Sequence, residues 1–201
     1  YDENTLFLQG HEELTLRLQK EFNHLWEHSR ELNANDDLVF EVSETAITDA
    51  DIEDGPDSHA YFTSENFRIN GTTTFTKNGG NEVSDALIAA IEDATDSIHV
   101  ASGHLRHRGI SEALMAKAAA EPDMDIRVYL DAQEYISRTT HEIQLDDLDD
   151  CLDNANTATQ ERNCMDKGFR FGFQMGESGI DVRYKWYAYR WHYTYAAQMH
   201  H

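Results

Sequence analysis

Apolar residues recur at helical spacing in three segments of the chain. Between residues 12 and 31 they fall on one face of a helix, and the same spacing predicts helices over 82–95 and 110–120. The apolar positions of the first helix are Leu14, Leu18, Phe22, Leu25 and Trp26, and those of the other two are Val83, Leu87, Ile88, Ile91, Ala94, Ile110, Leu114 and Ala118.

Shorter runs alternate apolar and polar residues, which is typical of half-buried strands. They predict strands over 97–101, 126–131 and 180–184, the last one opened by a turn at Gly179. Helices and strands therefore alternate in the second half of the chain, with short connections between most of them. This order predicts an α/β layered domain with a mostly parallel sheet flanked by helices.

Two other regions follow a different pattern. Residues 38–76 alternate short strand-like runs with acidic turns, and Asn70-Gly71 is a predicted hairpin turn. Residues 132–178 are polar and predict an inserted helix-and-loop excursion, in which the acidic run 146–150 forms a solvated helix face. The acidic segment 49–55 resembles a calcium loop but lacks its glutamate ligand, so no metal site is predicted.

The charge of the chain is strongly negative. The chain contains 38 acidic and 16 basic residues, which gives a formal net charge of −22. Such a surface repels polyanions and argues against tight, sequence-independent nucleic-acid binding, which relies on lysine and arginine at the phosphates. A solubilising or salt-adapted surface is the simplest interpretation. No apolar run approaches the roughly 20 residues that a transmembrane helix needs.

The chain contains two cysteines, Cys151 and Cys164, which bracket a polar stretch. This spacing is compatible with a disulfide, and a disulfide would favour an extracytoplasmic location. Two reduced thiols are the alternative. No histidine lies nearby at a spacing suited to zinc, so a zinc site is not expected.

Several runs follow one another in a characteristic order. They resemble the successive strands and the M-H-x-K motif of a phospholipase D-type domain, and the last run matches the first three positions of that motif. The runs are Ser97-Ile98-His99-Val100-Ala101, Asp125-Ile126-Arg127-Val128-Tyr129-Leu130-Asp131, Gly179-Ile180-Asp181-Val182-Arg183 and Met199-His200-His201. Near the start, Glu3-Asn4-Thr5 and Phe22-Asn23-His24-Leu25-Trp26 resemble the closing section of such a domain.

The resemblance implies a domain organisation. Residues 1–33 would be the tail of a preceding phospholipase D-like half, and residues 34–76 a linker with short strands. Residues 77–201 would be the N-terminal part of the next half, with 132–178 inserted. The chain is then expected to be incomplete, cut inside its own motif and inactive by itself. Its partner would be a second such half, supplied in cis or by a homodimer.

The resemblance also implies the chemistry. His200 occupies the position of the motif histidine, which acts on a phosphodiester through a phospho-histidine intermediate, and the motif lysine would follow His201 directly. No metal and no other cofactor is implied. The expected function is a phosphodiester hydrolase or phosphatidyl-transferase acting on phospholipids. An endonuclease of the same superfamily and a non-catalytic binding domain of the same fold are the alternatives.

Two further segments could contact a substrate. His104 and Arg106 directly follow the strand 97–101, where loops of parallel sheets line ligand sites, so both could reach a phosphate. A solvated basic loop is the alternative for these residues. The aromatic segment 184–195 could form a platform for lipid headgroups or stacked bases, or could instead pack against a missing half.

Overall fold

A computed structural model describes residues 9–27, 46–52, 60–70 and 74–185 of the chain. The chain divides into two compact units, one spanning Thr5–Ala86 and one including Leu87–His201. The described residues form an α/β protein in which helices accompany a three-stranded parallel sheet. The predicted α/β class is confirmed at this level.

The first unit contains one long helix and one hairpin. Helix α1 covers Glu12–Glu27, as the apolar spacing predicts, and residues 28–31 of the predicted helix lie outside the described part of the chain. Glu12 and Glu13 lie in its first turn, where negative charge favours the helix dipole. The apolar face of α1 leaves four large side chains exposed: Leu18, Phe22, Leu25 and Trp26.

The hairpin consists of strands β1 (Phe67–Asn70) and β2 (Thr74–Lys77), which pair antiparallel. Asn70 pairs with Thr74, so the connection comprises residues 71–73. The hairpin predicted at Asn70-Gly71 is present, but Asn70 itself is still a paired strand residue, so the connection begins one residue later than predicted. The hairpin itself is formed where the turn signal indicated.

The second unit contains the parallel sheet and most of the helices. The sheet order β3-β4-β5 follows the order of the chain, with Ser97 opposite Asp125 and Arg127 opposite Asp181. The strands are β3 (Ser97–Ser102), β4 (Asp125–Leu130) and β5 (Asp181–Tyr184). Helix α2 (Glu82–Asp93) begins in the first unit and ends in the second. The other helices of the second unit are α3 (Arg108–Ala120), α4 (Arg138–Asp153), α5 (Ala158–Met165) and α6 (Gly172–Glu177).

One face of the sheet is covered and the other is open. Crossovers between parallel strands are right-handed, so two crossovers that step in the same direction lie on the same face. On that face Leu114 of α3 and Met175 of α6 are fully buried with the inward residues of β4. The alternate residues of the three strands, including His99 and Arg127, remain exposed. The alternation of apolar and polar residues along these strands thus corresponds to a sheet that, in the described part of the chain, is covered on one face only.

The crossover from β4 to β5 occupies residues 132–178 and holds α4, α5 and α6. The four aspartates of the run 146–150 are exposed on α4 while Leu148 packs against the core, so this run is the solvated helix face that was predicted. The end of the crossover is not peripheral, because Phe171 is 1% exposed and lies in the core. A disulfide links Cys151 of α4 to Cys164 of α5, with 5.8 Å between the Cα atoms.

Candidate functional site

The C-terminal ends of the three parallel strands lie at one edge of the sheet. The strands end at Ser102, Leu130 and Tyr184, and their register places these residues side by side. In open α/β sheets ligands bind beyond the carboxyl ends of the strands, because the loops that follow converge there. The loops after β3 and β4 carry the polar side chains described next.

The loop after β3 carries two basic side chains that contact the same partner. Leu105 is 7% exposed and belongs to the core, whereas His104 and Arg106 on either side of it are exposed. The hydroxyl of Ser102 donates a hydrogen bond of 2.9 Å to the carbonyl oxygen of His104. Leu105 and this hydrogen bond together hold the loop in place.

The loop after β4 forms a tight turn that places a glutamate beneath these two side chains. The carboxylate of Asp131 accepts a hydrogen bond of 2.8 Å from the backbone N–H of Gln133. The backbone N–H of Glu134 in turn donates to the carbonyl oxygen of Asp131 at 3.0 Å. The turn covers Ala132–Glu134, and Glu134 is 1% exposed.

Glu134, His104 and Arg106 contact one another, and we call these three residues the edge cluster. Nδ1 of His104 lies 2.8 Å from Oε1 of Glu134. Nη2 of Arg106 donates to the same oxygen at 2.6 Å, and its Nε lies 3.0 Å from Oε1 and 3.2 Å from Oε2. The buried carboxylate is thus bound by a guanidinium and an imidazole.

The electrostatics of the edge cluster keep Glu134 ionised. Burial alone raises the pKa of Glu134, but the hydrogen bonds from Arg106 and His104 lower it more, so the pKa lies below its ordinary value. The carboxylate raises the pKa of Arg106 in return, through their hydrogen bond. Both groups are therefore charged at neutral pH.

Two aromatic rings and a lysine lie beside the cluster on the sheet edge. The rings of Tyr135 and Tyr184 meet edge to face at 5.4 Å between centroids. Burial raises the pKa of Tyr184 above its ordinary value, and the nearby Tyr135 and Glu134 raise it further. A Cβ atom on Gly172 would collide with the Tyr184 hydroxyl, so a larger residue at this position would displace the tyrosine ring. Lys185 is buried, and its backbone N–H donates to the carbonyl of Leu130 at 2.7 Å.

The structure brings two of the residues singled out in the sequence to this edge. His104 and Arg106 both lie there, but each is paired with Glu134, which the sequence analysis missed. The available signal was weak: an acid four residues after a buried strand, in a chain with 38 acidic residues. His200 and the aromatic residues from Trp186 to Tyr195 lie outside the described residues.

A second histidine–carboxylate pair lies on the open face of the sheet. Nε2 of His99 lies 3.0 Å from Oδ2 of Asp125, and Nε of Arg127 donates to Oδ1 of Asp125 at 2.8 Å. All three side chains are exposed, and the hydrogen bonds from His99 and then Arg127 lower the pKa of Asp125. We call these three residues the open-face cluster.

Other kinds of site are not found in the described part of the chain. Within 9–27, 46–52, 60–70 and 74–185 no group of three or more histidine, cysteine, aspartate or glutamate side chains could hold a metal ion. In the same ranges no helix has both the length and the apolar character needed to cross a bilayer. Comparison with protein-family models, with curated proteins and with solved structures finds no match to this chain.

Proposed function

We propose that this chain belongs to a phosphodiester hydrolase or phosphatidyl-transferase of the phospholipase D type that acts on phospholipids. One observation carries the proposal. The three runs on which the resemblance rests form β3, β4 and β5, three adjacent parallel strands in chain order. Such a layered half, with polar side chains at the carboxyl edge of its sheet, fits the fold that the resemblance implies.

The proposed chemistry centres on His200. A phosphodiester resists attack because its anionic oxygens repel nucleophiles, whereas a neutral imidazole approaches phosphorus without that repulsion. The nitrogen–phosphorus bond forms as the bond from phosphorus to the leaving alcohol oxygen breaks. A second histidine protonates that oxygen and then activates water or an acceptor alcohol, and lysines stabilise the charge on the phosphoryl oxygens. His200 takes either the attacking or the protonating part.

The charge of the chain favours a lipid over a nucleic acid. A formal net charge of −22 opposes the counterion-release binding on which nucleases rely, while a phospholipid needs only a local cationic site for one phosphate. At the sheet edge Arg106 supplies such a cation, although Glu134 already binds part of its guanidinium. The edge is therefore proposed to orient the phosphodiester and not to bind a polyanion.

The gene sequence beyond His201 is the first test. The proposal requires a lysine directly after His201, then an aspartate and a G-S-x-N turn. Any other residue at the lysine position removes the catalytic claim and favours a non-catalytic binding domain of the same fold.

Activity is then measured on the full gene product with phosphatidylcholine and phosphatidylglycerol vesicles and, separately, with supercoiled plasmid. We expect headgroup release from the vesicles and its loss, by about 1000-fold or more, in His200→Gln. His99→Gln on the open face is the matched control and should retain activity. Plasmid nicking without lipid cleavage would replace the lipid proposal with a nuclease.

A further inference from the structure

We propose that the disulfide between Cys151 and Cys164 is a redox-sensitive switch that holds helix α5 against helix α4. Reduction of this bond by a dithiol releases residues 155–167, which we call the α5 segment, while the sheet and its core stay folded. The inference concerns the crossover between β4 and β5 and does not depend on the proposed function.

Helix α5 buries very little of its own surface. Seven of the eight residues of Ala158–Met165 are exposed, and the exception is Cys164, which is 5% exposed. The hydrophobic core formed by the described residues includes no residue of α5. A helix of eight residues is too short to be stable in water by itself. The stability of α5 therefore depends on what attaches it to α4.

The polar contacts of α5 are local. The side chain of Thr157 caps the helix by accepting a hydrogen bond of 3.2 Å from the N–H of Gln160. The side-chain oxygen of Gln160 accepts in turn from the N–H of Asn156 at 2.8 Å. Within the described residues, the side chains of α5 make no hydrogen bond and no ion pair with α4. The disulfide is thus the strong connection between the two helices.

Both flanks of the α5 segment are held in place without the disulfide. On α4, the buried ring of His141 contacts the rings of Phe169 and Phe173, at 5.8 and 5.1 Å between centroids. The side chain of Gln144 donates to the carbonyl oxygen of Arg170 at 2.9 Å and accepts from its N–H at 3.0 Å. These contacts fix α4 to the chain that follows the α5 segment, so they remain when the disulfide opens.

Opening is therefore expected to stay local. A disulfide disfavours the opened state by closing the loop between its two cysteines, which are 13 residues apart here. Reduction removes that constraint and leaves α5 with the weak contacts of a short polar helix. Local opening of such a segment costs far less free energy than unfolding of the core, because few apolar groups leave a buried position.

A reductant can reach the disulfide. A groove of about 480 Å³ lies between α4 and α5, and both cysteines line it. Its charged lining residues are Asp147, Asp150 and Lys167, so negative charge prevails there. An anionic reductant is repelled by this charge. A dithiol without carboxylates is thus favoured over glutathione, which carries two.

The exchange is balanced in atoms and electrons. A thiolate of the dithiol attacks one cysteine sulfur, forms a mixed disulfide and displaces the other cysteine as a thiolate, which takes up a proton. The second thiol of the reductant then attacks the mixed disulfide and releases the remaining cysteine, which also takes up a proton. The dithiol is oxidised to a disulfide, and the protein gains two electrons and two protons. Oxidation by a disulfide reverses these steps and reattaches α5.

Hydrogen exchange of the 201-residue chain tests the switch, with oxidised protein compared with protein in dithiothreitol. We expect the amides of Ala158–Met165 to exchange about 10-fold or more faster after reduction, while the amides of β3, β4 and β5 keep their rates. The double variant Cys151→Ser, Cys164→Ser should exchange like reduced protein without any reductant. Met165→Ala is the matched control, because it changes an exposed residue beside Cys164 and keeps the disulfide. It should exchange like the oxidised wild type.

Limited digestion with trypsin gives an independent measurement. Arg162 and Lys167 are the only trypsin sites between Arg138 and Arg170. Cleavage after these two residues should be about 10-fold or more faster in reduced protein, because a protease requires a locally opened chain. Samples are fully reduced before electrophoresis, since the disulfide otherwise joins the two fragments that cleavage after Arg162 produces.

Four results would overturn the proposal. Equal exchange in oxidised and reduced protein would show that packing alone holds α5. Loss of protection throughout the sheet on reduction would show that the disulfide supports the whole fold. Alkylation of both cysteines in native protein without reductant would show that there is no disulfide to open. Reduction by dithiothreitol in denaturant alone would show that the groove excludes the reductant.

Discussion

The edge cluster and the open-face cluster contain the same three kinds of group, namely a histidine, an arginine and a carboxylate. In the edge cluster the carboxylate of Glu134 is 1% exposed, whereas the carboxylate of Asp125 in the open-face cluster is 44% exposed. The contact distances are similar, at 2.8 Å for His104 to Glu134 and 3.0 Å for His99 to Asp125. The exposure of the acid therefore separates the two clusters more clearly than the distance between histidine and carboxylate does.

This difference has energetic and chemical consequences. Water screens the open-face charges, and exposed ion pairs of this kind contribute little to stability. A buried carboxylate must be paired, because an unpaired charge away from water is strongly destabilising. The edge cluster is therefore a place where loss of one partner alters both stability and the protonation of the acid.

Arg106→Met is expected to have the largest effect on stability. It leaves Glu134 buried with only His104 as a partner, and the free energy of unfolding should fall by about 2–4 kcal/mol at neutral pH. Urea unfolding followed by circular dichroism measures the change. Arg127→Met, which removes the corresponding arginine of the open face, is the control. An equal loss in both variants would contradict the distinction drawn from burial.

Acidification should reduce the difference between wild type and Arg106→Met. In the wild type the pKa of Glu134 lies below its ordinary value of 4.5, so this carboxylate stabilises the fold above that pH and the contribution is lost as the pH falls through the lowered pKa. In Arg106→Met the burial of Glu134 is expected to raise its pKa. Protonation of Glu134 then removes a poorly paired buried charge and stabilises the fold of the variant. Unfolding curves between pH 7 and pH 3 test this. A constant difference over that range would show that Glu134 is not the group involved.

The smallest effects are expected on the open face. Asp125→Asn and His99→Gln remove an exposed hydrogen bond, so the midpoint of thermal unfolding should move by only about 1 °C. Any shift should also disappear in about 1 M salt, where exposed charges are screened. Differential scanning calorimetry at low and high salt measures both. A large, salt-independent shift would indicate that another part of the protein covers this face.

Much of the fold could be predicted from the sequence. Periods of two and of 3.6 residues located the three parallel strands and the first three helices, because each element buries one face. Helix α3 begins two residues before its predicted start, at Arg108, since the imidazole of His107 caps it by accepting from the N–H of Ile110. The hairpin turn was displaced because strand pairing continues through Asn70. Such local details depend on individual hydrogen bonds, which the spacing of apolar residues does not reveal.

The crossover 132–178 was harder to interpret. Its average polarity predicted an excursion, yet Phe169, Phe171 and Met175 near its end belong to the core. A few apolar residues in a polar stretch carry no periodic signal, and only their packing against α3 and β5 reveals their role. The same applies to Arg108, whose guanidinium stacks over the rings of Phe169 and Phe171 at 5.2 and 5.3 Å.

The α/β class, the order of the strands along the chain and the position of His104 and Arg106 after a strand could all be inferred from the amino-acid sequence. These features follow from the spacing of apolar residues within short segments, because each helix or strand buries one of its faces. Only the folded arrangement shows that Glu134, 28 residues beyond Arg106, is the acid that contacts both His104 and Arg106. Nothing local distinguishes it from the other carboxylates. Its burial and its lowered pKa arise only where two loops from adjacent parallel strands meet.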